Sequence, residues 1–169
     1  MWKKPGGPDV IKAGLIELLP RLRRFARSLT HSVHDSDDLV QTALERALLH
    51  HEQWRPDSKL DAWMFGIMKN AWIDEVRSRA RRERVFAPEQ AGLTVGDRSA
   101  ETQQQAMSLQ SAMERLPDEQ RIAVALVLVE GLTYKEAADV LEVPIGTLTS
   151  RLARGRDALA KLLAEGART

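Results

Sequence analysis

The chain has no cysteine among its 169 residues. That excludes a disulfide framework, thiolate metal ligands and a cysteine nucleophile, and fits a reducing compartment. Its longest apolar run, Ile122–Val129, is far short of the roughly 20 residues of a membrane span. No charged-then-apolar-then-small signal segment opens the sequence. Strand-like alternation is scarce, and Val, Ile and Thr do not cluster between turn signals. There is no Gly-rich phosphate loop, no Gly-x-Ser-x-Gly and no His-Glu-x-x-His. These absences favour a soluble, cytoplasmic, non-catalytic protein without cofactor, small-molecule substrate or direct membrane insertion. What is present suffices for folding. Apolar residues make up 43% and charged residues 29%, enough for a core and too apolar for wholesale disorder. The length fits one ordinary domain or two small ones.

The formal net charge of +1 conceals an alternation. Residues 31–61 carry three Lys/Arg against seven Asp/Glu, and residues 76–86 carry five against one. Residues 104–142 carry three against seven, and residues 143–169 five against two. Acidic, basic, acidic and basic blocks succeed one another. Each block alone is compatible with a solvated helix face. Two basic segments also suit a polyanion, and two acidic ones a basic partner.

Helical periodicity dominates. One helix is expected from about Asp9 to Leu29, with Pro20 as a kink or a fresh start. A second runs from about Ser36 to His50, with Asp35–Asp38 supplying the N-cap and acidic first turn. A loop over His51–Lys59 precedes a third helix, Leu60 to Arg84, roughly 35 Å long. Residues 86–103 hold Pro88, Gly92 and Gly96 without a helical stripe and read as a flexible linker. Beyond it, a helix from about Ala100 ends before Pro117. Another runs from Asp118 to a glycine stop at Gly131. Thr133–Glu136 is a capping box opening a short helix. Pro144 then begins a last helix that reaches Leu163. The expected fold is all-α: two small helical domains, 8–85 and 104–167, joined by that linker. The short helix, tight turn and longer basic helix make the second a helix-turn-helix domain.

The last helix buries Leu148, Leu152, Gly155, Leu159, Leu162 and Leu163 by its spacing. Its other face presents Thr147, Ser150, Arg151, Arg154 and Lys161. Hydroxyls and guanidinium groups on one helical face suit a DNA major groove; an amphipathic surface helix is the alternative. The third helix and its preceding loop concentrate aromatic residues, Trp54, Trp63, Phe65 and Trp72, and end in Arg77, Arg79, Arg81, Arg82 and Arg84. Rings beside arginines can stack bases and track phosphates of a single strand. Trp63, Ile67 and Ala71 share a face expected to lie in the core. Asn70, Asp74, Arg77 and the loop from Trp54 to Ser58 are the better contact candidates. His31, His34, His50 and His51 are too loosely spaced, at helix ends, for a convincing metal site.

These residues resemble one family, the extracytoplasmic function (ECF) sigma factors of bacterial RNA polymerase. The resemblance is carried by Asp38–Gln41, by Ala62–Ile67 with Asn70 and Asp74, and by the arginine run. Leu116–Arg121, Glu130–Ala138 and Pro144–Leu148 with Ser150–Arg151 complete it, so that it covers nearly everything from residue 10 to 163. It implies core RNA polymerase, promoter DNA and an anti-sigma factor as partners. By resemblance, Asp38, Leu39, Gln41 and Glu45 dock on the polymerase clamp helices, the acidic block complementing a basic surface. Trp54, Arg55, Ser58, Trp63, Asn70, Asp74, Arg77 and Arg79 would bind the minus-ten element and hold an unstacked base, whose extrusion costs a few kcal/mol. Thr147, Thr149, Ser150, Arg151, Arg154 and Arg156 would read the minus-35 duplex.

Some positions depart from the family pattern. Thr42 stands where an acidic residue is common, Thr149 replaces a basic one, and Gly155 replaces alanine at a propensity cost of up to about 1 kcal/mol. Glu142 stands where glycine is usual; a positive φ there would cost on the order of 1 kcal/mol. Two rivals remain open. A sigma-like decoy would capture an anti-sigma factor without binding DNA. A simple helix-turn-helix regulator would use only residues 117–163.

Overall fold

The structure, a computed structural model, describes residues 7–85 and 108–168. Among them every regular element is helical: α1 (Pro8–Leu29), α2 (Val33–Leu49), α3 (Leu60–Val85), α4 (Leu109–Glu114), α5 (Asp118–Val124), α6 (Tyr134–Leu141) and α7 (Ile145–Gly166). A 3-10 turn (His51–Gln53) succeeds α2, and a π turn (Ala125–Val129) continues α5. The all-α expectation holds. The linker expected at 86–103, and the start of a helix near Ala100, lie outside the described residues. No described helix is long and apolar enough to cross a membrane.

Helices α1, α2 and α3 form the first unit, packed around Leu22, Phe25, Leu29, Ala43, Met64, Phe65 and Met68. Phe25 and Phe65 meet with ring centroids 4.9 Å apart and planes tilted by 57°, a favourable edge-biased geometry. Helix α1 runs unbroken past Pro20, so there is no fresh start. Pro20 is solvent-exposed, and water can serve the carbonyl that its missing N–H leaves unpaired. Helix α2 begins three residues earlier than the acidic cluster implies. Its cap is Ser32, whose hydroxyl accepts the Asp35 N–H. Helix α3 buries Met64, Phe65, Met68, Ala71 and Trp72. Trp63 and Ile67 are only half-buried, so Trp72, rather than Trp63, is the core tryptophan.

Helices α4 to α7 form the second unit, with Ile122, Val124, Leu126, Leu148 and Leu152 in its core. Helix α5 ends as a π turn, the Glu130 N–H reaching the Ala125 carbonyl at 3.0 Å. Gly131 then takes φ +73° and stops the helix, the left-handed region glycine enters without a Cβ clash. The capping box forms in both directions between Thr133 and Glu136. Glu142 adopts φ 56°, and the Val143 N–H returns to the Ala138 carbonyl at 3.1 Å, a Schellman-type stop built on a non-glycine residue. Leu163, expected on the buried face of α7, is exposed.

Gly155 answers to packing. A Cβ there would lie 2.7 Å from Val124 Cγ2 and 3.3 Å from the Gln120 carbonyl, so α5 and α7 cross too closely for a larger side chain. We expect Gly155→Val to lower stability by about 1–3 kcal/mol through overpacking, read as a lower urea midpoint at unchanged slope.

Candidate nucleic-acid and polymerase interfaces

Three surfaces carry the candidate contact residues, and a fourth joins the two units. On α2, Asp38, Gln41 and Glu45 are exposed along one ridge, with Gln41 Nε2 donating to Glu45 Oε1 at 3.4 Å. Leu39 is 7% exposed and belongs to the core. It holds the ridge in place and has no surface to offer a partner. His34 lies 3.4 Å from Asp38 and His31 3.7 Å from Glu114. Among the described residues no group of three or more His, Asp or Glu side chains is placed to hold a metal ion.

Six of the eight candidates from Trp54 to Arg79 divide between two sides of α3, and Trp54 and Arg55 stay in the loop before it. Ser58, Trp63 and Asn70, with Gln53, Lys59, Gly66 and Ile67, line a groove facing α6. Exposed Arg77 lies seven residues beyond Asn70 and continues that face by helical spacing. Asp74 and Arg79 line a different groove of about 790 Å³, against Asp35, Asp38, Thr42 and Arg46 of α2. There Arg46 pairs with Asp74 at 3.1 Å, and Arg79 with Asp35 and Glu75, each at 3.0 Å. These two candidates therefore adjoin the α2 ridge and stand apart from Trp63 and Asn70. In the loop, Ser58 donates to the Arg55 carbonyl at 2.7 Å, closing a turn that leaves the Arg55 side chain in solvent. The Trp54 indole N–H is buried without an acceptor among the described residues.

On α7, Thr149, Ser150, Arg154 and Arg156 are exposed, and Thr147 and Arg151 are half-exposed. Thr149 donates its hydroxyl to the Ile145 carbonyl at 2.8 Å. Arg151 reaches Glu119 at 3.3 Å. The face is cationic and open at Arg154 and Arg156.

The fourth surface escapes sequence reasoning: the two units pack against each other through charged side chains. The Glu130 carboxylate has no solvent exposure. Arg24 holds it through two 2.9 Å hydrogen bonds, and Arg21 adds one of 3.3 Å. Arg21 also reaches Asp61 at 2.9 Å and stacks over Phe65 at 5.3 Å. The Glu130 contact lifts Arg24 above the ordinary arginine pKa. Arg121 is buried and donates to the carbonyls of Met113, Glu114, Leu116 and, across the interface, Leu29. Its burial lowers its pKa. Lys69 is 5% exposed and donates to the Val140 carbonyl at 3.1 Å. Lys59 pairs with Glu136. A lone lysine or arginine in an otherwise apolar stretch is the available signal, visible for Arg121 ahead of Ile122–Val129 and for Lys69 between Met68 and Asn70.

The chain matches Sigma-70 region 2 over residues 15–82 and Sigma-70, region 4 over residues 106–159. The ECF RNA polymerase sigma factor EcfG of Rhodopseudomonas palustris is 35% identical over 156 residues, spanning 92% of this chain and 86% of that protein. The ECF RNA polymerase sigma factor SigM of Mycobacterium tuberculosis is 37% identical over 143 residues, spanning 85% and 71%. Among solved structures, the sigma factor RpoE of Bartonella quintana, in complex with the anti-sigma factor NepR, superposes with a TM-score of 0.75 at 31% identity. It covers 90% of this chain and 96% of that one. CnrH, in complex with the cytosolic domain of CnrY, shares the fold at a TM-score of 0.68 and 22% identity.

The interface chemistry sets two expected outcomes. Arg121→Met removes a donor from four backbone carbonyls, of which Met113 keeps the Leu116 N–H, and should lower stability by at least about 3 kcal/mol in denaturant unfolding. Glu136 is held below its ordinary 4.5, first by the Lys59 hydrogen bond and then by the Thr133 N–H. The same pairing holds Lys59 above its ordinary 10.5. The carboxylate's contribution is complete above 4.5 and fades as pH falls through the lowered folded value. The ammonium's is complete below 10.5 and fades as pH rises through the raised one. In carbon-detected NMR titration, Lys59→Met should move the Glu136 midpoint upward.

Proposed function

The chain belongs to the extracytoplasmic function sigma factors of bacterial RNA polymerase, and on that premise we propose how its surfaces divide the work. It binds core polymerase, directs it to promoters and catalyses nothing itself. Residues 8–85 form the unit that docks on the polymerase and takes the minus-ten strand, and residues 104–167 the unit that reads the minus-35 duplex. The exposed α2 ridge of Asp38, Gln41 and Glu45 offers carboxylates to a basic partner. Trp63, Asn70 and Arg77 supply a ring face, an amide and a guanidinium along one side of α3, a combination suited to an unstacked base and its phosphates. The opening of α7 presents Ser150, Arg154 and Arg156 to a major groove.

The observation that carries the reading is the coexistence, in one chain, of an acidic ridge and two separate cationic faces on units that match both sigma regions. A decoy that only captures an anti-sigma factor needs no exposed Arg154 and Arg156. The relative solved with the anti-sigma factor NepR supports a partner of that kind here as well. The α2 ridge and the open face of α7 are surfaces it would have to cover.

The test is run-off transcription with purified core polymerase on genomic promoter fragments. Discrete transcripts should appear only when the chain is added. Arg154→Ala should weaken promoter binding and lower the salt slope by about 1, while core binding stays intact. Asp38→Ala should weaken core binding instead. Equal loss of both activities in both variants would overturn the division.

A further inference from the structure

Helix α7 offers a duplex two kinds of surface. Residues four apart on a helix lie on one face and form ridges. One ridge, Gly146–Ser150–Arg154, is exposed and polar. The ridge beside it, Ile145–Thr149–Ala153, is exposed as well. Its first member is a large aliphatic side chain that stands 50% in solvent. Thr149 joins the apolar set through its own hydrogen bond. Its hydroxyl donates to the Ile145 carbonyl at 2.8 Å, one turn back along the same helix. That bond spends the only proton the side chain can donate and holds χ1. The γ-methyl is then the group left to meet a partner.

A single exposed aliphatic residue is ordinary on a protein surface, and here its placement is what counts. A recognition helix addresses base edges with its N-terminal residues. Ile145 and Thr149 stand in the first two turns of α7, which Leu148 and Leu152 seat on the core of the second unit. From Ile145 to Ala153 the ridge is about 12 Å long, enough to pass roughly three base pairs at about 3.4 Å each. A ridge without a free donor is poorly matched to phosphates or to base keto groups. It is well matched to the one apolar group that bases present in the major groove, the C5-methyl of thymine. Cations flank it. Arg154 lies on the neighbouring ridge and Arg156 three residues beyond Ala153, both exposed, in positions suited to the backbone. The family pattern has a basic residue at Thr149, so the methyl group there is a feature of this chain.

We propose that Ile145 and Thr149 are specificity-determining residues of the minus-35 site, and that they recognise thymine by its C5-methyl group. The inference rests on the minus-35 role proposed for α7 above. The minus-35 element of this chain therefore holds, on one of its strands, a thymine whose methyl group lies against Thr149, with Ile145 closing the contact against water.

The experiment uses the full chain assembled with core polymerase and a duplex promoter fragment found by run-off transcription. Each thymine of the minus-35 element, on either strand, is replaced in turn by deoxyuridine, which removes the methyl group and keeps every hydrogen-bonding group. One such replacement should weaken holoenzyme binding about fourfold, the worth of one methyl group withdrawn from contact. Thr149→Ser can keep the bond to the Ile145 carbonyl and lacks only the methyl group. It should bind thymine DNA about fourfold more weakly than the unmodified chain does and show no further loss with deoxyuridine at that position. Thr149→Val keeps a methyl group without the hydroxyl and should still distinguish the two bases. Ile145→Ala should narrow the difference between them. Core binding should be the same in all three variants. Equal binding of thymine and deoxyuridine DNA at every position, or a Thr149→Ser variant that still distinguishes them, would overturn the proposal. Two controls separate it from the reading beneath it. If Arg154→Ala weakens promoter binding while no methyl group matters, the minus-35 reading stands alone. If scrambling the whole minus-35 element leaves binding unchanged, that reading falls as well.

Discussion

Helix C-termini end in carbonyls that the helix itself cannot satisfy, and this molecule draws their donors from across the boundary between its two units. Arg121 of α5 serves the Leu29 carbonyl that ends α1. Gln110 of α4 donates to the Arg27 and Thr30 carbonyls at 2.8 and 3.1 Å. Lys69 of α3 serves the end of α6. Each unit thus completes hydrogen bonds that the other's helices leave open. The buried Glu130 carboxylate between Arg21 and Arg24 is the charged counterpart of the same arrangement. Apolar packing is continuous across the same boundary, the buried residues of both units forming one cluster, and these hydrogen bonds fix the units in orientation.

That arrangement also accounts for the alternating charge along the chain. The acidic block at 104–142 is partly spent inside the molecule, Glu130 on α1 and Glu136 on Lys59. The basic block on α7 and the acidic ridge on α2 keep their exposed members. Charge that faces inward sets how the units meet, and charge that faces outward is left for partners. An interface that carries ion pairs and charge-assisted hydrogen bonds, several of them partly exposed, is sensitive to ionic strength and to competing polyanions. A purely apolar seam would be indifferent to both.

Much of this is legible in the sequence, because it depends on local chemistry. The capping box at Thr133–Glu136, the stop at Gly131 and the boundaries of α3 are dictated by the residues at those positions. The left-handed Glu142 can be framed as a condition that the backbone then meets. The N-cap of α2 is displaced in the sequence reading because three aspartates signal a helix start as strongly as Ser32 does. Trp63 and Trp72 cannot be ranked by burial, since α3 packs on both α1 and α2 and also meets α6, which leaves no single polar face to anchor the phase. The split of Asp74 and Arg79 from Asn70, and the inter-unit contacts of Arg21, Lys69 and Arg121, join residues 40 or more positions apart in most cases. No periodicity encodes such pairings.

The π turn at Ala125–Val129 bears on how such a seam arises and is lost. A turn of this kind accommodates one residue more than an α-helix would over the same rise, and so rotates the segment beyond it by about 100°. Glu130 is the first residue past that rotation. A one-residue deletion within the turn would rewind it and carry the carboxylate away from α1, at the cost of shifting the buried Ala125 and Leu126. The tether between the units therefore depends on the residue count of a single helical turn.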